Sequence, residues 1–166
     1  MRTRDIRKAL KHELRHTKTR NYYVLARNHF NEKVFRRFPI AAVINTDSWP
    51  GKGIHWCGLY IDGRRRAFFF DSLGRHPHHY NINIDPYQWN DRPLQGNSAL
   101  CGEYSILFIK YIARGASLKQ FQRIFSNNKE RNDRLVRRYF NHHLSSLTHT
   151  TKEKVDQTCI TNCNNG

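Results

Sequence analysis

Two apolar runs joined by a turn constrain this chain more than any other feature. "IHWCGLYI" (54–61) and "RAFFFD" (66–71) are separated by "DGRR". Asp-Gly between two such runs is a strong hairpin signal, so the sequence predicts two adjacent antiparallel strands. A loop of three residues, Asp62 to Arg64, places His55 directly opposite Asp71. Directly opposed residues share a sheet face with Cβ atoms roughly 5 Å apart. An imidazole N–H can then donate to the carboxylate and fix the tautomer. A two-residue loop turns Asp71 to the other face, so a His–Asp pair here demands an odd loop or a bulge.

The remaining elements follow from periodicity and punctuation. In "TRDIRKALKHELRHTKTR" (3–20), Ile6, Leu10 and Leu14 share one helical face, and the opposite face is nearly all basic. Thr3 or Asp5 is placed to cap its start. This helix is either a docked surface helix or an arm that lies on phosphates. "FPIAAVIN" (38–45) reads as a buried strand, and Pro50, Gly51 and Gly53 punctuate the loop after it. Residues 72–98 read as a long polar loop with one short strand at 80–84. "CGEYSILFIKYIAR" (101–114) reads as a buried helix ended by Gly115. "SLKQFQRIF" (117–125) opens with Ser117 and Gln120 at capping-box spacing. Residues 129–147 form another amphipathic helix, with Leu135, Val136, Tyr139, Phe140 and Leu144 inward. The expected class is α+β, a small central mixed sheet flanked by helices. One domain spans 1–147, and a polar tail spans 148–166.

Composition limits the function. Of 166 residues, 29 are Lys or Arg and 13 are Asp or Glu, a net charge of +16. Such a balance attracts polyanions, nucleic acid above all. Arg64, Arg65 and Arg66 at the hairpin tip, with Arg134, Arg137 and Arg138 on the last helix, are the expected contacts for sequence-blind DNA binding, and no base-reading motif accompanies them. The sequence contains neither an apolar run of membrane-spanning length nor a signal-type segment, so the expectation is an intracellular protein, not secreted and without a membrane partner. Cys57, Cys101, Cys159 and Cys163 are spaced too irregularly for a small disulfide framework. "HPHHY" (76–80), "HH" (142–143) and "CITNC" (159–163) contain possible zinc ligands. The last lacks a second half, and no metal site is expected.

A His–Asp pair needs something to act on. Cys101 stands where the long polar loop becomes a helix, so unsatisfied N–H groups and the positive end of the helix dipole face its sulfur. Both lower a cysteine pKa, and an adjacent imidazolium lowers it further. Gly102 follows without a side chain to block approach. Gln95, freed by Gly96, offers an amide that can reach an oxyanion beside the Cys101 N–H. Cys57 shares the His55 strand face and is the rival nucleophile, but no helix start activates it. Trp56 points to the opposite face, as core or as a wall beside a substrate groove that Gly96 and Gly102 would also border.

"VINTDSWPGKGIHW", "FFFDSLG" and "LQGNSALCGEY", in that order, resemble the three signature blocks of the adenovirus protease (adenain) family. The SUMO-deconjugating (Ulp-like) proteases are wider relatives that order their site His, Asp, Gln, Cys in the same way. The resemblance covers positions 35 to 126. It implies a papain-like cysteine protease core with Cys101 as nucleophile at a helix N-terminus. His55 would be general base and acid, Asp71 its orienter and Gln95 an oxyanion donor. It further implies an endopeptidase that matures viral precursor proteins in the virion and host nucleus, needs no cofactor, and takes DNA and a viral peptide as activators. The loop between Asp71 and Gln95 is short for that family and has no cysteine, so the family's disulfide tether for the peptide is not expected. A deconjugase of ubiquitin-like modifiers and a catalytically silent DNA-binding protein on the same scaffold are the alternatives.

Overall fold

The computed structural model describes residues 2–31, 35–51 and 53–142. Five strands form one mixed sheet in sequence order: β1 (Asn21–Ala26), β2 (Ile40–Asn45), β3 (Trp56–Ile61), β4 (Ala67–Phe70) and β5 (Gln88–Trp89). β1 runs parallel to β2, β2 antiparallel to β3, β3 antiparallel to β4, and β4 parallel to β5. Helices α1 (Thr3–Glu13), α2 (Cys101–Ala113), α3 (Leu118–Gln122) and α4 (129–142) accompany it. The α+β class is as expected.

β2, β3 and β4 are buried along their whole length because both sheet faces are covered. One face, with Val43, Trp56, Tyr60, Phe68 and Phe70, packs with α1, α2 and α3 and with Val136 and Phe140 of α4. The other, with Ile40, Ile44, Cys57, Leu59 and Phe69, is covered by Phe35, Ile82 and Ile84. Burial on both faces is why these strands read as continuous apolar runs and not as alternation. α1 docks through Ile6, Leu10 and Leu14, all buried, and leaves its basic side exposed. Buried Glu13 pairs with Lys110 at 3.1 Å and accepts from Tyr139 at 3.0 Å, tying α1 to α2 and α4.

Several expectations are corrected. The hairpin loop has five residues, Asp62 to Arg66, since Ile61 pairs with Ala67 and Gly58 with Phe70. The Asp62 carboxylate gathers the Arg64 and Arg66 amides and the Arg66 guanidinium, each at 2.9 Å. Arg65 takes the left-handed turn, with φ 62. The register is therefore displaced by two residues, and the odd loop keeps His55 and Asp71 on one face. β1 was not anticipated, because "NYYVLA" carries neither turn signal nor alternation. Residues 80–84 are not a strand; Ile82 and Ile84 instead cap the second face, and β5 lies at 88–89. α1 has Arg2 at its N-cap position, with Asp5 accepting the Arg2 amide at 3.3 Å, so Thr3 is not the cap. The Ser117–Gln120 capping box forms as expected, with α3 ending at Gln122. Leu135 is 43% exposed, whereas Val136 and Phe140 are buried. Leu144, Cys159, Cys163, His143 and the tail from 148 lie outside the described residues.

α2 crosses β3 at Gly58. A Cβ there would stand 2.9 Å from the Phe108 ring and 3.1 Å from the Ser105 carbonyl. Gly58→Ala is expected to destabilise the fold by about 1–3 kcal/mol, the range for overpacking a core. Leu135→Ala is expected to stay within about 0.5 kcal/mol. Urea unfolding midpoints of the two variants check the contrast.

Candidate active site

His55 directly precedes β3, and Asp71 directly follows β4. Continuing the ladder from Gly58 opposite Phe70 places Cys57 across from Asp71 and His55 one diagonal step away on that face. Diagonal neighbours are within reach of long side chains. The His55 Nε2–Asp71 Oδ1 separation is 2.6 Å, with both residues buried.

The carboxylate is held from several sides. Besides His55, Asp71 accepts from the Leu73 amide at 2.9 Å, the Arg75 amide at 3.0 Å and the Tyr80 hydroxyl at 2.8 Å. A turn at 71–74 is closed by the Gly74 N–H on the Asp71 carbonyl at 2.8 Å, with Gly74 at φ +73. Fully buried Asn90 clamps the Asp71 backbone, accepting from its N–H at 2.8 Å and donating to its carbonyl at 2.6 Å. An asparagine side chain thus extends the sheet one residue past β4. Tyr80 and Asn90 lie in the polar loop that sequence reasoning passed over. Nothing local marks them, because their partner is distant in the chain.

Electrostatics follow from this packing. Burial alone opposes charge on His55 and is the largest single effect. The hydrogen bonds to Asp71 and Cys101 and the Asp71 charge outweigh it, raising the imidazole to about 9. Burial likewise opposes charge on Asp71, but the His55 contacts and the surrounding donors prevail and hold the carboxyl below its ordinary value. Cys101 stands close enough to the His55 ring to contribute to the rise of the imidazole. Since Asp71 occupies Nε2, Nδ1 is the nitrogen available to the sulfur. Cys101 is the first residue of α2 and half-buried, and the N-cap position is Leu100, whose side chain makes no capping hydrogen bond. Its amide N–H therefore sits in the first turn, where a helix supplies no acceptor of its own.

Gln95 is buried. Its Oε1 accepts from the Ser72 hydroxyl at 2.6 Å, and its Nε2 donates to the Ser98 carbonyl. The loop beneath it is braced by α4. The Gly96 N–H donates to Asp133 at 3.2 Å, as does the Tyr104 hydroxyl at 2.9 Å, while Asn132 donates to the Leu94 carbonyl at 3.0 Å. Among the glycines expected at a groove, Gly96 would put a Cβ 2.9 Å from the Asp133 carboxylate, and Gly102 is buried in α2. Trp56 is core and also lines a cavity of about 410 Å³ with Asn45, Trp49 and Gly53.

Cys57 is fully buried, and burial, its largest influence, pushes its thiol well up. It is the protonated neighbour of the pair and no rival to Cys101. His55, Cys57 and Asp71 have potential ligand atoms within 4.8 Å of one another. Two ligands of one tetrahedral zinc, each about 2.0–2.2 Å from the metal, must stand more than 3 Å apart. The His55–Asp71 contact at 2.6 Å is a hydrogen bond and excludes that pair of atoms from sharing an ion.

The arginines expected to meet DNA are dispersed in role. Arg64, Arg134, Arg137 and Arg138 are exposed. Arg65 lies over the Phe38 ring at 5.2 Å, and Arg66 is folded back onto Asp62 at 2.8 Å.

No family model and no curated protein matches the chain. Among solved structures, the ASFV pS273R protease is similar at 22% identity and a TM-score of 0.40, over 56% of this chain and 40% of that one. The central domain of the uncharacterized Lpg1148 protein from Legionella pneumophila is similar at 18% identity and a TM-score of 0.47, over 90% of this chain and 98% of that one.

His55 is protonated in the fold up to about pH 9, against roughly 6.5 when unfolded. The charged pair therefore stabilises the fold fully below about pH 6.5, and that contribution is lost as pH rises towards 9. The thermal midpoint of the wild type is expected to fall across this window. Asp71→Asn is expected to flatten the dependence, as read from unfolding curves between pH 6 and 9.5.

Proposed function

We propose that this chain is a cysteine endopeptidase working by acyl transfer. One observation carries the reading: a cysteine at the first residue of a buried helix stands beside an imidazole, close enough to act on its titration, and the Nε2 of that ring is tied to a buried carboxylate. In the resting pair the ring already holds the proton given up by the thiol, and Asp71 stabilises that imidazolium. The Cys101 thiolate attacks the peptide carbonyl carbon, and the carbonyl electron pair moves onto oxygen. The Cys101 N–H and the Gln95 N–H not bonded to Ser98 receive that oxyanion. As the tetrahedral intermediate collapses, the C–N bond breaks and His55 gives its proton to the leaving amine. Water then loses a proton to His55, attacks the thioester, and releases the acid and the thiolate.

The resemblance of the three signature blocks extends the reading to maturation of viral precursor proteins in virions or the host nucleus. A net charge of +16 supports stimulation by DNA through sequence-blind phosphate contacts that weaken steeply with salt. Arg64, Arg134, Arg137 and Arg138 would make these contacts before Arg66, which is already paired with Asp62. An activating peptide, if it binds, does so without the family's disulfide tether.

The test is incubation with a library of proteome-derived peptides, with and without DNA, followed by sequencing of new termini. Wild type and Cys57→Ala are expected to create the same termini, and Cys101→Ala none. Termini that persist with Cys101→Ala, or none with wild type, would reject the protease. Exclusive cleavage of isopeptide-linked modifiers would convert the reading to a deconjugase. Turnover is expected to decline above about pH 9 as His55 loses its proton, and Asp71→Asn to bring that alkaline limb down towards 6.5. A pH–rate profile of kcat/KM on the best library peptide checks this.

A further inference from the structure

Asp71 and Ser72 are neighbours in the chain, yet they hold different parts of the proposed machinery. Asp71 grips the ring of His55, and Ser72 grips Gln95. Ser72 is fully buried. Its carbonyl accepts the Leu94 and Gln95 amides at 2.8 and 3.1 Å, and its hydroxyl meets the Gln95 Oε1 at 2.6 Å. The direction of that last bond is set by Ser98. A carbonyl only accepts, so the end of the Gln95 amide facing the Ser98 carbonyl is the nitrogen. The end facing Ser72 is then the oxygen, and the hydroxyl must donate.

An amide has two ends of opposite polarity on a terminal torsion with a broad, two-fold profile. A glutamine that must present an N–H to a developing oxyanion fails if it turns, because Oε1 would repel that charge. Ser98 occupies one N–H and Ser72 fixes the oxygen, so the orientation of the remaining N–H is determined. We propose that Ser72 is a positioning residue that holds the Gln95 amide with this N–H towards the oxygen of the attacked carbonyl. The proposal rests on the reading of Gln95 as an oxyanion donor.

The experiment compares Ser72→Ala, Ser72→Cys, Gln95→Ala, the Ser72→Ala/Gln95→Ala double variant and Cys101→Ala, on the library peptide that wild type cleaves best. Gln95→Ala is expected to lower kcat about 10²–10³-fold, as for loss of one oxyanion donor. Ser72→Ala is expected to lower kcat roughly 10- to 10²-fold, as for a displaced donor, with KM within about twofold. Ser72→Cys, with a similar shape and a weaker donor, falls between and stands in if Ser72→Ala does not fold by thermal unfolding. The double variant is expected to match Gln95→Ala alone, and the alkaline limb of the pH profile is expected to stay in place.

A wild-type kcat in Ser72→Ala, losses that multiply in the double variant, or a shifted alkaline limb would each overturn the proposal. The last would mean that the substitution acts by loosening the turn that holds Asp71. Cleavage by Cys101→Ala would sink the protease reading itself. Inactive Cys101→Ala and impaired Gln95→Ala beside unimpaired Ser72→Ala would sink the Ser72 role alone.

Discussion

The hydrogen bond between His55 and Asp71 is the constraint around which the site is arranged. Both partners are buried, and a buried charge is costly unless it is paired and hydrogen-bonded. Asp71 meets that cost with donors from the 73 and 75 amides and Tyr80, and Asn90 fixes its backbone. Each support comes from the polar loop after β4, so the loop is ordered by the charge it surrounds. The pairing also leaves Nδ1 as the ring nitrogen that can serve the sulfur.

Delivery of the sulfur is a packing problem. α2 lies against β3 where Gly58 removes a side chain, and the Ser105 hydroxyl shares its one proton between the Trp56 carbonyl at 3.1 Å and the Cys101 carbonyl at 2.9 Å. The helix start is thereby seated next to the residue that follows His55. Packed interiors resist small shifts, so the thiol and the imidazole keep their relation as long as α2 keeps its seat. α4 does the same for the oxyanion side, since Asn132 and Asp133 hold the backbone at 94–96. No motif marks that bracing, although it sits beneath the Gln95 loop.

Much of the site was legible because chemistry restricts which residues stand where. A cysteine at the point where a polar loop meets an apolar helical run, a glutamine followed by glycine six positions earlier, and His and Asp bracketing a hairpin are local patterns. The parity of the hairpin loop was legible too, since only an odd loop leaves His55 and Asp71 on one face. The loop length was not. It depends on Asp62 collecting three donors from Arg64 and Arg66, a choice that competes with the tighter Asp-Gly turn. Leu135 was misplaced for a related reason. Periodicity names an apolar stripe, but the neighbouring helices decide how wide a stripe they cover.

By itself the sequence determined the α+β class, the buried strand at 38–45, the helix beginning at Cys101 and the candidate quartet of His55, Asp71, Gln95 and Cys101. These follow from side-chain preference over short spans. Tertiary structure alone decided the two-residue register, the exclusion of Cys57 by burial, the Tyr80 and Asn90 supports and the Ser72 grip on Gln95. Each of these depends on groups far apart along the chain, and such proximity is created only when a common core forces distant segments together.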